Sequence, residues 1–120
     1  MNVEHHAEAA ASRIAAAIGE PARARILYCL LDDRARSSTE LAVIAGVSPA
    51  TASVHLSRLL TERLIKVAAQ GKHRYYSLQG REVARVLEGL SVLAGSPRNK
   101  FVPSTLSPSR TRATSRPCRL

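Results

Sequence analysis

The chain has 120 residues, with 18 Lys and Arg against 9 Asp and Glu, one Phe, three Tyr and no Trp. That length fits one small domain, and with so few aromatics its core must be built from Leu, Ile, Val and Ala, which favours helices packed through small side chains. Two cysteines 89 positions apart, Cys29 and Cys118, exclude a disulfide framework and a zinc-ligand spacing, and the absence of a leader or membrane-length apolar run predicts a soluble, cytoplasmic protein.

The net charge of +9 is unevenly placed. Arg98, Lys100, Arg110, Arg112, Arg116 and Arg119 lie in residues 95–120 without any acid, which leaves twelve basic against nine acidic residues, or +3, in residues 1–94. Within that part Arg58, Arg63, Lys66, Lys72 and Arg74 cluster around the single acid Glu62. Such a local field points to a polyanionic partner.

In chain order, Ala7, Ala10, Ala11, Ile14, Ala15 and Ile18 recur at helical spacing, predicting a first helix from about Glu4 to Ile18 that Gly19 ends. Pro21 suits the first turn of a second helix through Leu31, with Ile26, Leu27, Leu30 and Leu31 as its apolar face, and the polar run Asp32 to Ser37 closes it. Ser37 or Ser38 can cap a third helix carrying Glu40 in its first turn and Leu41, Ile44 and Ala45 inward, with Gly46 as the turn. Val47 then enters the core, Ser48 caps a fourth helix with Pro49 at its first position, and Ala52, Leu56, Leu59 and Leu60 face inward.

Beyond Leu64 the period changes to two. Ile65, Val67 and Ala69 alternate with Lys66, Ala68 and Gln70, Gly71 marks a turn, and His73 to Leu78 forms the return strand, with one of Tyr75 and Tyr76 inward and the other outward. Helical spacing resumes from Gly80 to Ala94 through Val83, Val86, Leu87, Leu90 and Leu93. The last stretch holds four of the six prolines (Pro97, Pro103, Pro108, Pro117) and should be a disordered tail, because it cannot bury enough apolar surface to offset chain entropy. The expected organisation is a domain over residues 1–94 and a basic tail over 95–120.

A short helix, a glycine turn, a second helix and a basic hairpin, in that order, is the layout of a winged helix-turn-helix that docks on duplex DNA. The fold class expected is mainly α with a small β-hairpin. The second helix of such a motif presents its N-terminal residues to base edges. Ser48, Thr51 and Ser53 are short polar side chains that allow close approach, Pro49 starts the helix, and His55 and Arg58 extend a positive rim. Gln70, Gly71, Lys72, His73 and Arg74 form a hairpin tip whose donors can reach the flanking backbone, which makes a wing.

The stretches GEPARARILYCLL, STELAVIAGVSPATASVHLSRL and GKHRYYSL resemble the corresponding parts of the ArsR/SmtB family of bacterial winged-helix repressors, over roughly residues 12–94. The resemblance implies a symmetric homodimer joined through the first and last helices, with paired recognition helices on an imperfect palindrome upstream of regulated genes. It places Ser48, Pro49, Thr51, Ser53 and His55 in the DNA-reading stretch and Gly71 to Arg74 in the wing. Two departures stand out. Arg63 occupies a position where these proteins usually carry a Gly closing the recognition helix. The helix that carries cysteines in metal-sensing members reads Glu40, Leu41, Ala42, Val43, Ile44 here, and Arg81 to Ala94 has neither His nor Asp, so neither familiar type of metal site is expected.

Cys29, among Ile26, Leu27, Leu30 and Leu31, reads as a buried inert thiol, with oxidative pairing to Cys118 as the alternative. Glu4, His5, His6 and Glu8 have metal-binding chemistry, but adjacent histidines do not face one way on a helix, so no metal and no cofactor are expected. No Gly-rich phosphate loop, acid and base pair or nucleophile motif appears, so no enzyme is expected. The expected function is a dimeric, DNA-binding transcription regulator that represses from a palindromic operator, its effector not legible. The alternatives are a metal- or thiol-responsive repressor of the same fold and a winged helix that contacts only proteins.

Overall fold

The computed structural model describes residues 3–95, with side chains from His5 onward. Five helices and three strands follow in the order α1 (Val3–Ile18), α2 (Pro21–Cys29), β1 (Arg36–Ser37), α3 (Ser38–Ala45), α4 (Pro49–Thr61), β2 (Ile65–Gln70), β3 (His73–Leu78) and α5 (Arg81–Leu93). Of the tail expected over residues 95–120, residues 96–120, Cys118 included, lie outside the described residues. Two compact units divide at Gln79 and Gly80.

In the first unit α2, α3 and α4 each start where a side chain satisfies an otherwise unpaired backbone N–H. Glu20 accepts from Arg23 N at 2.9 Å ahead of Pro21. Ser37 and Glu40 form a reciprocal capping box, Glu40 N to Ser37 Oγ at 3.2 Å and Ser37 N to Glu40 Oε1 at 2.9 Å, and Ser48 Oγ accepts from Thr51 N at 3.1 Å. The ends of α3 and α4 share one hydrogen-bonding pattern. Gly46 N reaches Val43 O and Val47 N reaches Ala42 O, both at 3.1 Å; Arg63 N reaches Leu60 O and Leu64 N reaches Leu59 O, both at 3.0 Å. This paired bonding requires a left-handed residue at the stop. Gly46 takes it at φ 72°, and Arg63 takes it at φ 60° despite its side chain. Arg63 therefore closes α4 with the backbone geometry that Gly46 gives the end of α3.

The core of this unit is aliphatic. Ile26, Leu27, Leu30, Leu41, Leu56, Leu59 and Ile65 are at most 2% exposed, joined by Ala17, Ala22, Ala42, Ala45 and Ala52, which let α2, α3 and α4 pack closely. Burying one such Leu or Ile contributes roughly 1.5–3 kcal/mol, so the helix-turn-helix is held from behind, with its outer face free of structural duty.

Several expectations are corrected in detail. The second helix ends at Cys29, and Leu30–Asp32 forms a 3₁₀ turn that Asp33 reverses at φ 67°. The polar run after it contains a strand: β1 pairs antiparallel with β3, Arg36 opposite Tyr76 and Ser37 opposite Tyr75, so the hairpin is part of a three-stranded sheet in the order β1-β3-β2. Two residues give too short a pattern to read as a strand, and the pairing is made through a distant partner. In β2 only Ile65 is buried, and Val67 and Ala69 are exposed. Tyr76 is buried and Tyr75 half-buried, as alternation requires. Val47 and Leu60 are half-buried. Gln70 pairs with His73, so Gly71 at φ 60° and Lys72 make a two-residue hairpin turn with glycine first.

The second unit contributes α5. Val83 and Leu87 are buried, whereas Val86, Leu90, Val92 and Leu93 are 48%, 38%, 64% and 83% exposed. The apolar face predicted for this helix is therefore covered along only part of its width. No described helix is long and apolar enough to cross a membrane.

Candidate nucleic-acid interface

The predicted site residues fall into two groups. Ser48, Pro49, Thr51 and Ser53 are exposed on the first turns of α4, and Gln70, Gly71, Lys72, His73 and Arg74 are exposed at the hairpin tip. Between them runs a groove of about 680 Å³ lined by Ser53 from α4, by Lys72, His73, Arg74, Tyr75 and Tyr76 from the wing, and by Ser37, Ser38, Thr39 and Glu40 from the start of α3. The β1–β3 pairing makes this groove, because it draws the α3 N-terminus against the return strand of the hairpin.

The chemistry of the groove is that of an anion cradle. Ser38, Thr39 and Ser53 supply hydroxyls, Lys72 and Arg74 supply positive charge, and the one acid, Glu40, is held in the capping box with Ser37. His73 and Tyr75 stand with ring centroids 6.3 Å apart and tilted, which braces the wing beside its cations. Ser48 Oγ lies 3.1 Å from Thr51 Oγ1, so both hydroxyls sit together at the α4 N-terminus, where the helix dipole is positive.

His55 and Arg58 lie elsewhere. Arg23 on α2 donates through Nε to Ala17 O at 2.7 Å and through Nη2 to Ala16 O at 3.4 Å, closing α1, while its Nη1 meets His55 Nδ1 at 3.1 Å. A guanidinium only donates, so Nδ1 accepts, and the ring's Nε2 points toward Glu20 Oε1 3.9 Å away. The Glu20 carboxyl is held below its usual range, first by the N–H of Arg23, against a smaller upward push from desolvation. Arg58 turns back to Glu62, 3.6 Å away, and to the main-chain oxygen of Arg13 at 3.5 Å, while Glu62 also faces Arg13 at 3.8 Å. These two side chains tie α4 to α1 and α2. Their part in the positive rim is accordingly smaller than their sequence position implied.

Sequence reasoning missed Ser38, Thr39 and Tyr75 as groove residues, and Arg23 as the clamp on His55. The cap signal at Ser37 was visible; its proximity to the wing was not, since it comes from strand pairing over nearly forty residues. Cys29 is buried, 2% exposed. Among the described residues no three His, Cys, Asp or Glu side chains stand close enough to hold a metal ion, and the side chain of Glu4 lies outside them.

Comparison with known proteins matches residues 20–67 to the model of bacterial regulatory proteins of the arsR family. The HTH-type transcriptional regulator YdfF of Bacillus subtilis is 41% identical over 83 residues, which is 69% of this chain and 37% of YdfF, so the chain spans little more than a third of that relative. NolR from Sinorhizobium fredii is 30% identical with a TM-score of 0.69, covering 79% of this chain and 95% of NolR. The homodimeric winged helix-turn-helix DNA-binding domain of Mb0332 from Mycobacterium bovis shares the fold at a TM-score of 0.73 and 23% identity, covering 88% and 96%. The layout of capped helices, glycine turn and basic wing and the likeness to these regulators agree: the chain belongs to the arsR family of bacterial regulatory proteins, DNA-binding transcription regulators of winged helix-turn-helix fold that are not enzymes.

Proposed function

We propose that this protein is a cytoplasmic repressor that binds a palindromic operator as a symmetric dimer, with α4 in the major groove and Gln70 to Arg74 on the flanking phosphates. The observation that carries the reading is the groove itself. It runs from Ser53 on α4 to the cations of the wing, and Ser48 and Thr51 are exposed at the start of the same helix, so one duplex can touch base edges at Ser48, Thr51 and Ser53 and backbone at Lys72 and Arg74. Pro49 and Gly71 shape the two ends of this surface, His73 adds a donor at the tip, and His55 and Arg58 act by holding α4 in place.

Dimerisation is supported by the exposed Val86, Leu90 and Leu93 on α5, an apolar strip of the kind a second copy covers, and by the homodimeric state of the Mycobacterium bovis domain of the same fold. In such a dimer the two copies of α4 meet half-sites about 34–36 Å apart, one helical turn of DNA. An effector acts by changing the angle between the two copies and so lowering operator affinity.

Binding selection from random duplexes tests the proposal. The expected product is an inverted repeat with half-centres one turn apart, bound with a stoichiometry of two chains per duplex and with steeply salt-dependent affinity. Thr51→Ala and Ser53→Ala should relax preference at particular base pairs. Recovery of no preferred sequence, or of binding insensitive to salt, refutes the reading.

A further inference from the structure

We infer that α4 reads its duplex through methyl groups, with Val54 as a base-reading residue that faces thymine 5-methyl groups in each half-site. This rests on the proposed sequence-specific binding and goes further by naming the base feature that is read.

The buried line of α4 runs through Ala52, Leu56 and Leu59. Successive residues turn by about 100° around a helix, so the line opposite passes through Ala50, Val54, Ser57 and Thr61. All four are exposed, and Val54 is 66% exposed at the crest. The crest is the strip that goes deepest when a helix enters the major groove. On it Val54 has the bulkiest side chain, and its neighbours are short enough to let the backbone close on the base edges.

The usual long readers are missing from this strip. Guanine is recognised by paired donors from Arg or Lys, and adenine by the amide of Asn or Gln. In Pro49–Thr61 the sole residue of these four types is Arg58, and its guanidinium is committed to Glu62 and to the main-chain oxygen of Arg13. What remains on the crest is an isopropyl group flanked by hydroxyls and a methyl. The thymine methyl is the apolar feature of the major-groove edge, and a valine in a helix has one strongly preferred rotamer, so the contact orders little. A surface of this chemistry selects A·T pairs with their methyl groups toward Val54.

The experiment uses the full chain and the duplex recovered by binding selection, with each half-site thymine replaced singly by deoxyuridine. That change deletes one methyl and leaves base pairing intact. Affinity should fall about fourfold per methyl lost, as expected for burying one such group. Val54→Ala is an exposed substitution that leaves the fold standing, and it should bind the thymine and uracil duplexes alike. Selected half-sites with no thymine at a shared position, unchanged affinity for the uracil duplexes, or full discrimination by Val54→Ala each overturn the inference while leaving sequence-specific binding intact. Failure to select any sequence overturns both.

Discussion

Arg63 holds a left-handed backbone conformation that costs an L-residue about 1–2 kcal/mol, and it does so to close the recognition helix. Replacing it by glycine removes that strain. Glycine also gives the unfolded chain more freedom, which offsets roughly 0.5–1 kcal/mol of the gain. Arg63 is exposed, so little packing is lost, and Arg63→Gly should stabilise the domain by about 0.5–1 kcal/mol net. For a domain of this size that is a rise in Tm of roughly 2–8 °C. Gly46 provides the mirror experiment, since it ends α3 in the same hydrogen-bonding pattern at φ 72° with nothing within 4 Å of where a Cβ would stand. Gly46→Ala should therefore destabilise by a comparable amount through the backbone alone. Arg63→Ala separates strain from charge: alanine keeps the strain, so its Tm should stay close to that of the parent. Thermal unfolding followed by far-UV circular dichroism, with urea unfolding at fixed temperature, measures all three. A Tm for Arg63→Gly at or below the parent's, alongside a lowered Gly46→Ala, would show that contacts of the Arg63 side chain outweigh its backbone strain.

Ser37→Ala removes both bonds that the Ser37 side chain makes at the start of α3 and should cost about 1 kcal/mol in urea unfolding; a neutral result means water caps the helix equally well. Lys72→Ala and Arg74→Ala should each weaken binding to every duplex and reduce the slope of log affinity against log salt by about 0.9, and an unchanged slope would place the wing off the phosphates. Glu20 is held below its ordinary pKa by folding, so its contribution is present at neutral pH and is lost as pH falls below the usual carboxylate range and through the lowered folded value. Glu20→Gln should accordingly flatten the acid limb of a stability profile, and an acid limb of unchanged steepness would count against the bond to Arg23 N. A double-mutant cycle of Arg23→Ala and His55→Ala should show coupling of about 0.5–3 kcal/mol, whereas strict additivity would mean that the 3.1 Å contact contributes nothing.

Local chemistry was legible because its causes lie within a few residues. Pro21 and Pro49 start helices, Ser37, Glu40 and Ser48 cap them, Gly46 stops one, and alternation placed Tyr76 inside and Tyr75 between core and solvent. The same reasoning overreached where a pattern ran past its cover. Val67 and Ala69 alternate correctly yet are exposed, and Val86, Leu90 and Leu93 follow helical spacing yet are exposed within the chain. A pattern records which face is apolar, and burial depends on whether something lies against it.

The residues of the candidate site divide along the same line. By itself the sequence determined that two capped helices and a basic hairpin follow one another, since helix starts, turns and strand alternation are set by neighbours. The tertiary structure alone decided that Ser38 and Thr39 join the wing in one groove, that Arg23 and the main-chain oxygen of Arg13 draw His55 and Arg58 back toward α2 and α1, and that Val54 is left at the crest. Those outcomes depend on strand pairing, packing and side-chain hydrogen bonds between segments dozens of residues apart, and spacing along the chain carries no record of which distant partner a side chain will meet.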